Sequence, residues 1–470
     1  MGSLWSFLMN ILAARTLGIS EDRDAWVIAS AALAVVMTGL WRPVIHGLRE
    51  ESDRGRAEAA GLLGWLGLML LLFVLFAPGA ISQFLAPGAS PELHRFLGKI
   101  LEVLGLVALF QGLSELWSRK PSSGYQSWFQ PAWDSRVLLV QLVLVVLLST
   151  RIGVRAWVVG GLAGACWVAL GSAKDHLRSA WKVPLWAWPS ARIRSRIARE
   201  FGNWGLLSFW ISLAWLSRLI LATRLGAGAA SAVDYSFALL WVPAAGGAAW
   251  LESHSLGPEW TASAVRAARS EFRHRVKDLM TQAWLAAVSL GAVFVFASHE
   301  LVRLVYRAGG FTEVEVRLCA RVVRALGFGV PGAALFWVAF DLLLRSGRPE
   351  RAWRFLGIAL SVAALLNWLY SRGLGVSAFG WTWAVGFWFS ALFLVASLVG
   401  PTGMARLVLL RWLPLQMVAW SAASLADRLL TSPRIPSIFL MLGVAGMAVL
   451  GGVLGLRLLK RLKFSDLQEG

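Results

Sequence analysis

Five charged residues stand out because of where an apolar sequence places them: Arg15, Asp24, Arg218, Arg224 and Asp234. Arg218 lies inside the run "LLSFWISLAWLSRLILAT". A guanidinium within a membrane span costs about 3 kcal/mol or more unless it is paired or lines a polar path, so such a residue is a functional candidate by default. The structural reading beside it is an ion pair with Asp341, a second mid-span charge. Arg15 and Arg224 close apolar runs, where a cation offsets the partial negative charge of a helix C-terminus. Asp24 and Asp234 open the runs that follow, where an aspartate accepts from first-turn N–H groups as an N-cap. The histidines at 46, 94, 176, 254, 274 and 299 are scattered and suggest no metal site.

The elements that must hold these charges are membrane helices. The 470 residues are 57% hydrophobic with a mean hydropathy of +0.64, and only 15% are charged, whereas soluble domains carry roughly 25%. About 20 apolar residues span a bilayer, and apolar windows occur near 3–19, 24–45, 60–86, 97–117, 132–150, 153–173 and 202–224. They continue near 230–251, 277–304, 318–345, 353–371, 376–399, 405–426 and 436–458, which makes fourteen expected spans. The first run, Leu4 to Leu17, has no basic leader and no small-residue cleavage site, so it is read as a helix and not as a signal peptide.

The net charge of +19 sits between apolar runs, which is the pattern of a topology signal and argues against nucleic-acid binding. Basic clusters at Arg49–Arg56, Lys174–Arg199, Arg266–Lys277, Arg345–Arg354 and Arg457–Lys463 fall on one side if both termini are cytoplasmic. Arg303, Arg307, Arg317 and Arg321 dilute that contrast from the other side. Many of the 27 tryptophans, Trp117, Trp128, Trp181, Trp188, Trp241 and Trp260 among them, mark helix ends and read as an interfacial belt. Two cysteines, Cys166 and Cys319, make neither a zinc site nor a disulfide framework.

The words "LAAR" (Leu12–Arg15) and "LATR" (Leu221–Arg224) are each followed by a Gly-containing turn, an Asp and an aromatic. They fall at the turns between spans 1 and 2 and between spans 7 and 8, as an internal repeat requires. Six spans per half keep the two halves parallel, related by an axis along the membrane normal. The expected architecture is all-α: two parallel six-helix lobes around a central cavity, plus two C-terminal helices. The lobes are expected at 1–175 and 202–400, joined by a basic connector at 176–201, with the last helices and tail at 401–470. Facing lobes of this kind suit alternating access.

Several stretches carry a family resemblance: "ILAARTLGISEDRDAW", "FAPGAISQFLAPG", "WFQPAWDS", "ILATRLGAGAASAVDYSFALLWVP", "LVRLVYRAGGFTEVEV" and "RSGRPERAWRFLGIALSVAALLN". In this order they resemble the MurJ/MviN family of the multidrug/oligosaccharidyl-lipid/polysaccharide exporter superfamily. The resemblance implies fourteen helices and an activity that flips lipid II, the peptidoglycan precursor, across the bacterial inner membrane for cell-wall synthesis. It also implies arginines on helices 1, 2 and 8 that hold the diphosphate, since a guanidinium fork matches phosphate oxygens. This chain has Met9 and Asn10, Met37 and Thr38, and Ala238 at those places. Of the family's cation site, the helix 7 carboxylate becomes Arg218, Asn367 keeps its type and Ser371 replaces an acid. A fixed guanidinium there repels sodium and argues against sodium coupling.

The resulting expectation is a MurJ-like flippase for a polyprenyl-diphosphate-linked saccharide, not an enzyme. It needs no cofactor and no metal, and cell-envelope glycan synthesis proteins are its expected partners. Substrate contacts are expected from Arg15, Arg218, Arg224, Asp24 and Asp234. One alternative is a non-transporting or regulatory relative that keeps the scaffold. Another is a polyprenyl-dependent glycosyltransferase using Glu21, Asp22 and Asp24, against which stand the short outer loops.

Overall fold

The computed structural model describes residues 2–41, 53–117, 135–180, 190–202, 206–240, 269–307, 311–345, 349–408, 412–430 and 441–451. Every regular element among them is helical. In lipid each backbone N–H and C=O must be bonded within its own segment, and a helix does this without a partner. The stretch "WFQPAWDS" falls almost wholly outside the described residues, as do 181–189 of the connector and the basic tail.

The chain begins with α1 (Gly2–Leu17) and α2 (Glu21–Val36), which widens into a π-helical turn at Met37–Trp41. Next come α3 (Asp53–Phe76), the short α4 (Pro78–Leu85), α5 (Pro91–Trp117), α6 (Ser135–Ile152) and α7 (Arg155–Ala180). A basic helix, α8 (Ala191–Glu200), precedes α9 (Leu206–Thr223) and α10 (Ala229–Leu240). The second half holds α11 (Arg269–Phe296), α12 (Ser298–Tyr306), α13 (Glu313–Gly327), α14 (Val330–Arg345) and α15 (Pro349–Leu374). It ends with α16 (Ser377–Val399), α17 (Pro401–Leu407), α18 (Leu413–Leu430) and α19 (Met441–Gly451).

Among the described residues, four helices are singly long and apolar enough to cross a bilayer: α5, α11, α15 and α16. Two more spans arise if the bent pairs α3/α4 and α13/α14 each count as one. The expected run 60–86 is therefore two helices meeting at 87°. Pro78 supplies no N–H and disfavours a helical Ala77 before it; Ala77 has φ −129° and ψ 38°. The expected run 318–345 likewise divides at a 55° bend just before Pro331, and 277–304 breaks at Ala297.

Contacts group the chain into two compact units that divide inside α10, after Asp234. In the first unit, Trp41 is buried and donates through Nε1 to Ala108 O at 3.0 Å, tying the end of α2 to α5. Gln141 on α6 donates to Trp157 O at 2.8 Å. In the second, Trp284 and Trp412 stack at 6.2 Å and Trp420 donates to Val288 O at 3.2 Å, holding α18 on α11. Trp41, Trp157, Trp284 and Trp412 are thus core residues, while the side chains of Trp117, Trp128, Trp181, Trp188, Trp241 and Trp260 lie outside the described set. Large apolar side chains face outward instead, Phe76 at 85% and Trp167 at 70% exposure, as a lipid-facing surface requires.

The two units repeat a local construction. Phe76–Ala77 ends α3 and Phe296–Ala297 ends α11; both alanines sit off the helical region, Ala297 with φ −114° and ψ 27°. Each break starts a short helix, and each is followed by a helix that packs back on the one before. A Cβ at Gly105 of α5 would lie 3.3 Å from Leu71 Cδ1, and one at Gly327 of α13 would lie 2.8 Å from Phe294 Cβ.

Candidate functional site

The matched words of the sequence meet in space, within the first unit. Gly18 turns α1 into α2 with φ 58°, and Ser20 caps α2, accepting from Arg23 N at 3.2 Å. Gly226 and Gly228 turn α9 into α10 with φ 115° and 79°, a region that glycine enters without steric cost. Ile19 lies directly against Gly228, so a Cβ there would collide with it.

A helix that starts beside glycine has no side chain of its own to satisfy its first N–H groups. Asp24 does so from α2. Its Oδ2 accepts from Gly228 N at 2.7 Å, and its Oδ1 accepts from Ser231 N at 2.6 Å and Ser231 Oγ at 2.5 Å. This corrects the N-cap reading: Ser20 caps α2, and Asp24, 2% exposed, caps α10 across 204 residues of chain. The carboxylate also faces the positive end of the helix dipole.

Asp234 is corrected too. It lies in the second turn of α10 and accepts from Arg23 Nη2 at 3.3 Å. The same nitrogen donates to Asn10 Oδ1 at 2.8 Å, and the Arg23 guanidinium lies 5.6 Å from the Trp157 ring centre. Arg218, 1% exposed, stacks 3.5 Å over Trp215 and is attracted to Asp234. Asp341 lies on α14, with its side chain outside the described set. Two guanidiniums at 3% and 1% exposure thus share one carboxylate that is 26% exposed. With Asp24 the four formal charges cancel.

Arg23 is the residue that sequence reading missed. It was one charge of the turn "SEDRD", and its partners stand 13 and 211 residues away. Arg15 and Arg224 are exposed at the ends of α1 and α9, as helix-end cations are. The positions where the resemblance implies arginines are otherwise engaged. Met9, Met37 and Ala238 are buried, Asn10 holds Arg23, and the Thr38 hydroxyl bonds Ser212 while Ser208 Oγ donates to Thr38 O at 2.9 Å. In the second unit, Asn367 and Ser371 lie one turn apart on α15, both buried, and Asn367 Oδ1 accepts from Thr382. Arg218 belongs to the first unit. Among the described residues no three His, Cys, Asp or Glu side chains gather as a metal-binding group.

Comparison with known proteins bears on this arrangement. The sequence matches a family model described as "Lipid II flippase MurJ" over residues 48–427. No curated protein sequence matches significantly. Among solved structures, "Lipid II flippase MurJ, inward closed conformation" is similar with a TM-score of 0.78 at 15% identity, covering 99% of this chain and 97% of that one. An inward-facing multidrug resistance MATE family transporter of the MOP superfamily gives 0.63 at 14% identity, covering 87% and 96%. A MOP superfamily transporter from Pyrococcus furiosus gives 0.53 at 15%, covering 87% and 93%.

Proposed function

The chain belongs to the MurJ family of lipid II flippases, and from that premise we propose how it moves its load: by alternating access, with both termini cytoplasmic and without sodium. It is a transporter and not an enzyme, it resides in the inner membrane, and its substrate is a lipid-linked saccharide. The observation that carries the activity is the family match across residues 48–427.

The mechanism follows from the joined turns. We read the chain as lobes at 1–175 and 202–400, so that the α1/α2 turn belongs to one lobe and the α9/α10 turn to the other, and their packing into one compact unit is what a closed state produces. Their contact is then the closed outer gate. Three things support this reading: the Asp24 cap on α10, the Arg23–Asp234 pair, and the seating of Ile19 on Gly228. Opening outward must uncap α10 and part Arg23 from Asp234. Each break leaves a polar group without its partner, so the closed state is a defined minimum. Lipid II entering from the inner leaflet brings a diphosphate whose oxygens match the guanidinium fork. We assign Arg23 and Arg218 as the cations that receive it, with Asp234 as the internal anion it displaces; Arg15 and Arg224 flank the exit. Arg218 supplies from the protein the positive charge that sodium brings elsewhere, so coupling to sodium is absent.

Complementation tests the activity. The chain is expressed in a bacterium whose lipid II flippase can be shut off, and survival is followed together with outer-leaflet lipid II. Rescue with restored outer-leaflet lipid II is expected. A well-inserted protein that leaves lipid II on the inner leaflet overturns the proposal.

A further inference from the structure

Lys and Arg concentrate on the cytoplasmic side of membrane proteins, so basic residues at the other side call for a reason. With the orientation proposed above, on which this inference rests, α5 and α13 begin at the outer surface, and both carry basic residues from the second turn on, after acidic first turns. On α13, Arg317, Arg321 and Arg324 are exposed. Their spacing of four and three places them on one face, over about 10 Å of helix. On α5, Arg95 and Lys99 are exposed at the equivalent places, with Glu102 where α13 has Arg324. The offset from Arg95 to Arg317, from Lys99 to Arg321 and from Gly105 to Gly327 is 222 residues each time.

Among the described residues, none of these five cations has an ion-pair or hydrogen-bond partner. On α13 the acids of the first turn are engaged elsewhere. Glu313 takes His299 at 2.8 Å and Arg307 at 3.8 Å, and Glu315 closes a capping box with Thr312. Depth points to the counter-ion. α5 has 27 residues, about 40 Å at 1.5 Å per residue, roughly 10 Å more than a hydrocarbon core. Arg95 and Arg317 each lie four residues, about 6 Å, in from the start of their helix, which on the proposed orientation is headgroup depth, where phosphate is the abundant anion.

We propose that the two rows are binding faces for anionic phospholipid headgroups of the outer leaflet. The α13 face carries three positive charges; the α5 face carries two against Glu92 and Glu102. Both are exposed with the whole chain in place, which suits a resident bilayer lipid, whereas a transported load must be enclosed. The guanidinium forks of α13 match phosphate oxygens in pairs, and the Lys99 ammonium cannot. The α13 face is thus the stronger.

The test counts lipid on the full-length protein by native mass spectrometry, titrating palmitoyl-oleoyl phosphatidylglycerol against the phosphatidylcholine analogue. It needs no transport, so its failure and a failure to flip lipid II are separate results. R317Q/R321Q/R324Q is expected to weaken phosphatidylglycerol binding by about fivefold for each arginine removed, R95Q/K99Q by less, and phosphatidylcholine binding stays unchanged. Single R321Q, at an exposed position, serves as the folded check and is expected to lose about fivefold alone. Unchanged phosphatidylglycerol binding in the single and triple variants overturns the proposal. So does displacement of phosphatidylglycerol by a polyprenyl diphosphate that depends on the same three arginines, because the face then belongs to the load.

Discussion

Arg23 and Arg218 are almost wholly buried, and Arg317, Arg321 and Arg324 stand exposed, yet the more telling difference between the two groups is their counter-ions. The buried pair shares Asp234, while Asp24 beside them neutralises a helix end. The exposed row has no acid among the described residues. Charge that carries its own counter-ion joins α2 to α10, and a ligand reaches it only by displacing that counter-ion; charge without one is open to a ligand as it stands.

The comparison breaks most visibly at Asp24. Asp24→Ala strips the acceptor from Gly228 N, Ser231 N and Ser231 Oγ, and is expected to cost about 3 kcal/mol, read as a fall in thermal melting of the detergent-solubilised protein. An unchanged melting temperature would mean that α10 does not need its cap from α2. Arg23→Gln should cost less, about 2 kcal/mol, because Asp234 is partly solvated and the loss is discounted from that of a fully buried pair. In a double-mutant cycle with Asp234→Asn, about 1 kcal/mol of that loss should be recovered. Strict additivity would deny the pair.

Gly228→Ala sharpens the account of the turn. The left-handed φ and the contact with Ile19 together predict a loss of about 1 to 2 kcal/mol, and Gly226→Ala, which has open space, should lose less. Smallest is the exposed row. R317Q/R321Q/R324Q should move stability by no more than about 0.5 kcal/mol per site while changing bound lipid. Replacing sodium by choline in a flipping assay should leave the rate unchanged, and a sodium requirement would return the cation site to the mechanism.

Much of this was legible in the sequence. Hydropathy established the membrane class, and the repeated words at Arg15 and Arg224 located two turns that do touch. The caps were misread because Asp is a good N-cap at either place and local pattern cannot tell which helix end a carboxylate reaches. Gly228 held the available clue: a helix that follows a glycine turn needs an outside acceptor. Arg23 was invisible because its partner Asp234 lies 211 residues away. The breaks at Ala77 and Ala297 were absorbed into single spans, since a window of hydropathy does not register a proline or a bent backbone.

The central claim, that the α1/α2 and α9/α10 turns must part during transport, is tested most directly by joining them. An ideal Cβ at Gly228 lies 3.6 Å from Ile19 Cβ, within the range that disulfides span. The measurement is outer-leaflet lipid II with I19C/G228C, in a chain whose Cys166 and Cys319 are replaced by serine. Under oxidation lipid II should stay on the inner leaflet, and reductant should restore its crossing. Full flipping by the cross-linked protein would contradict the account.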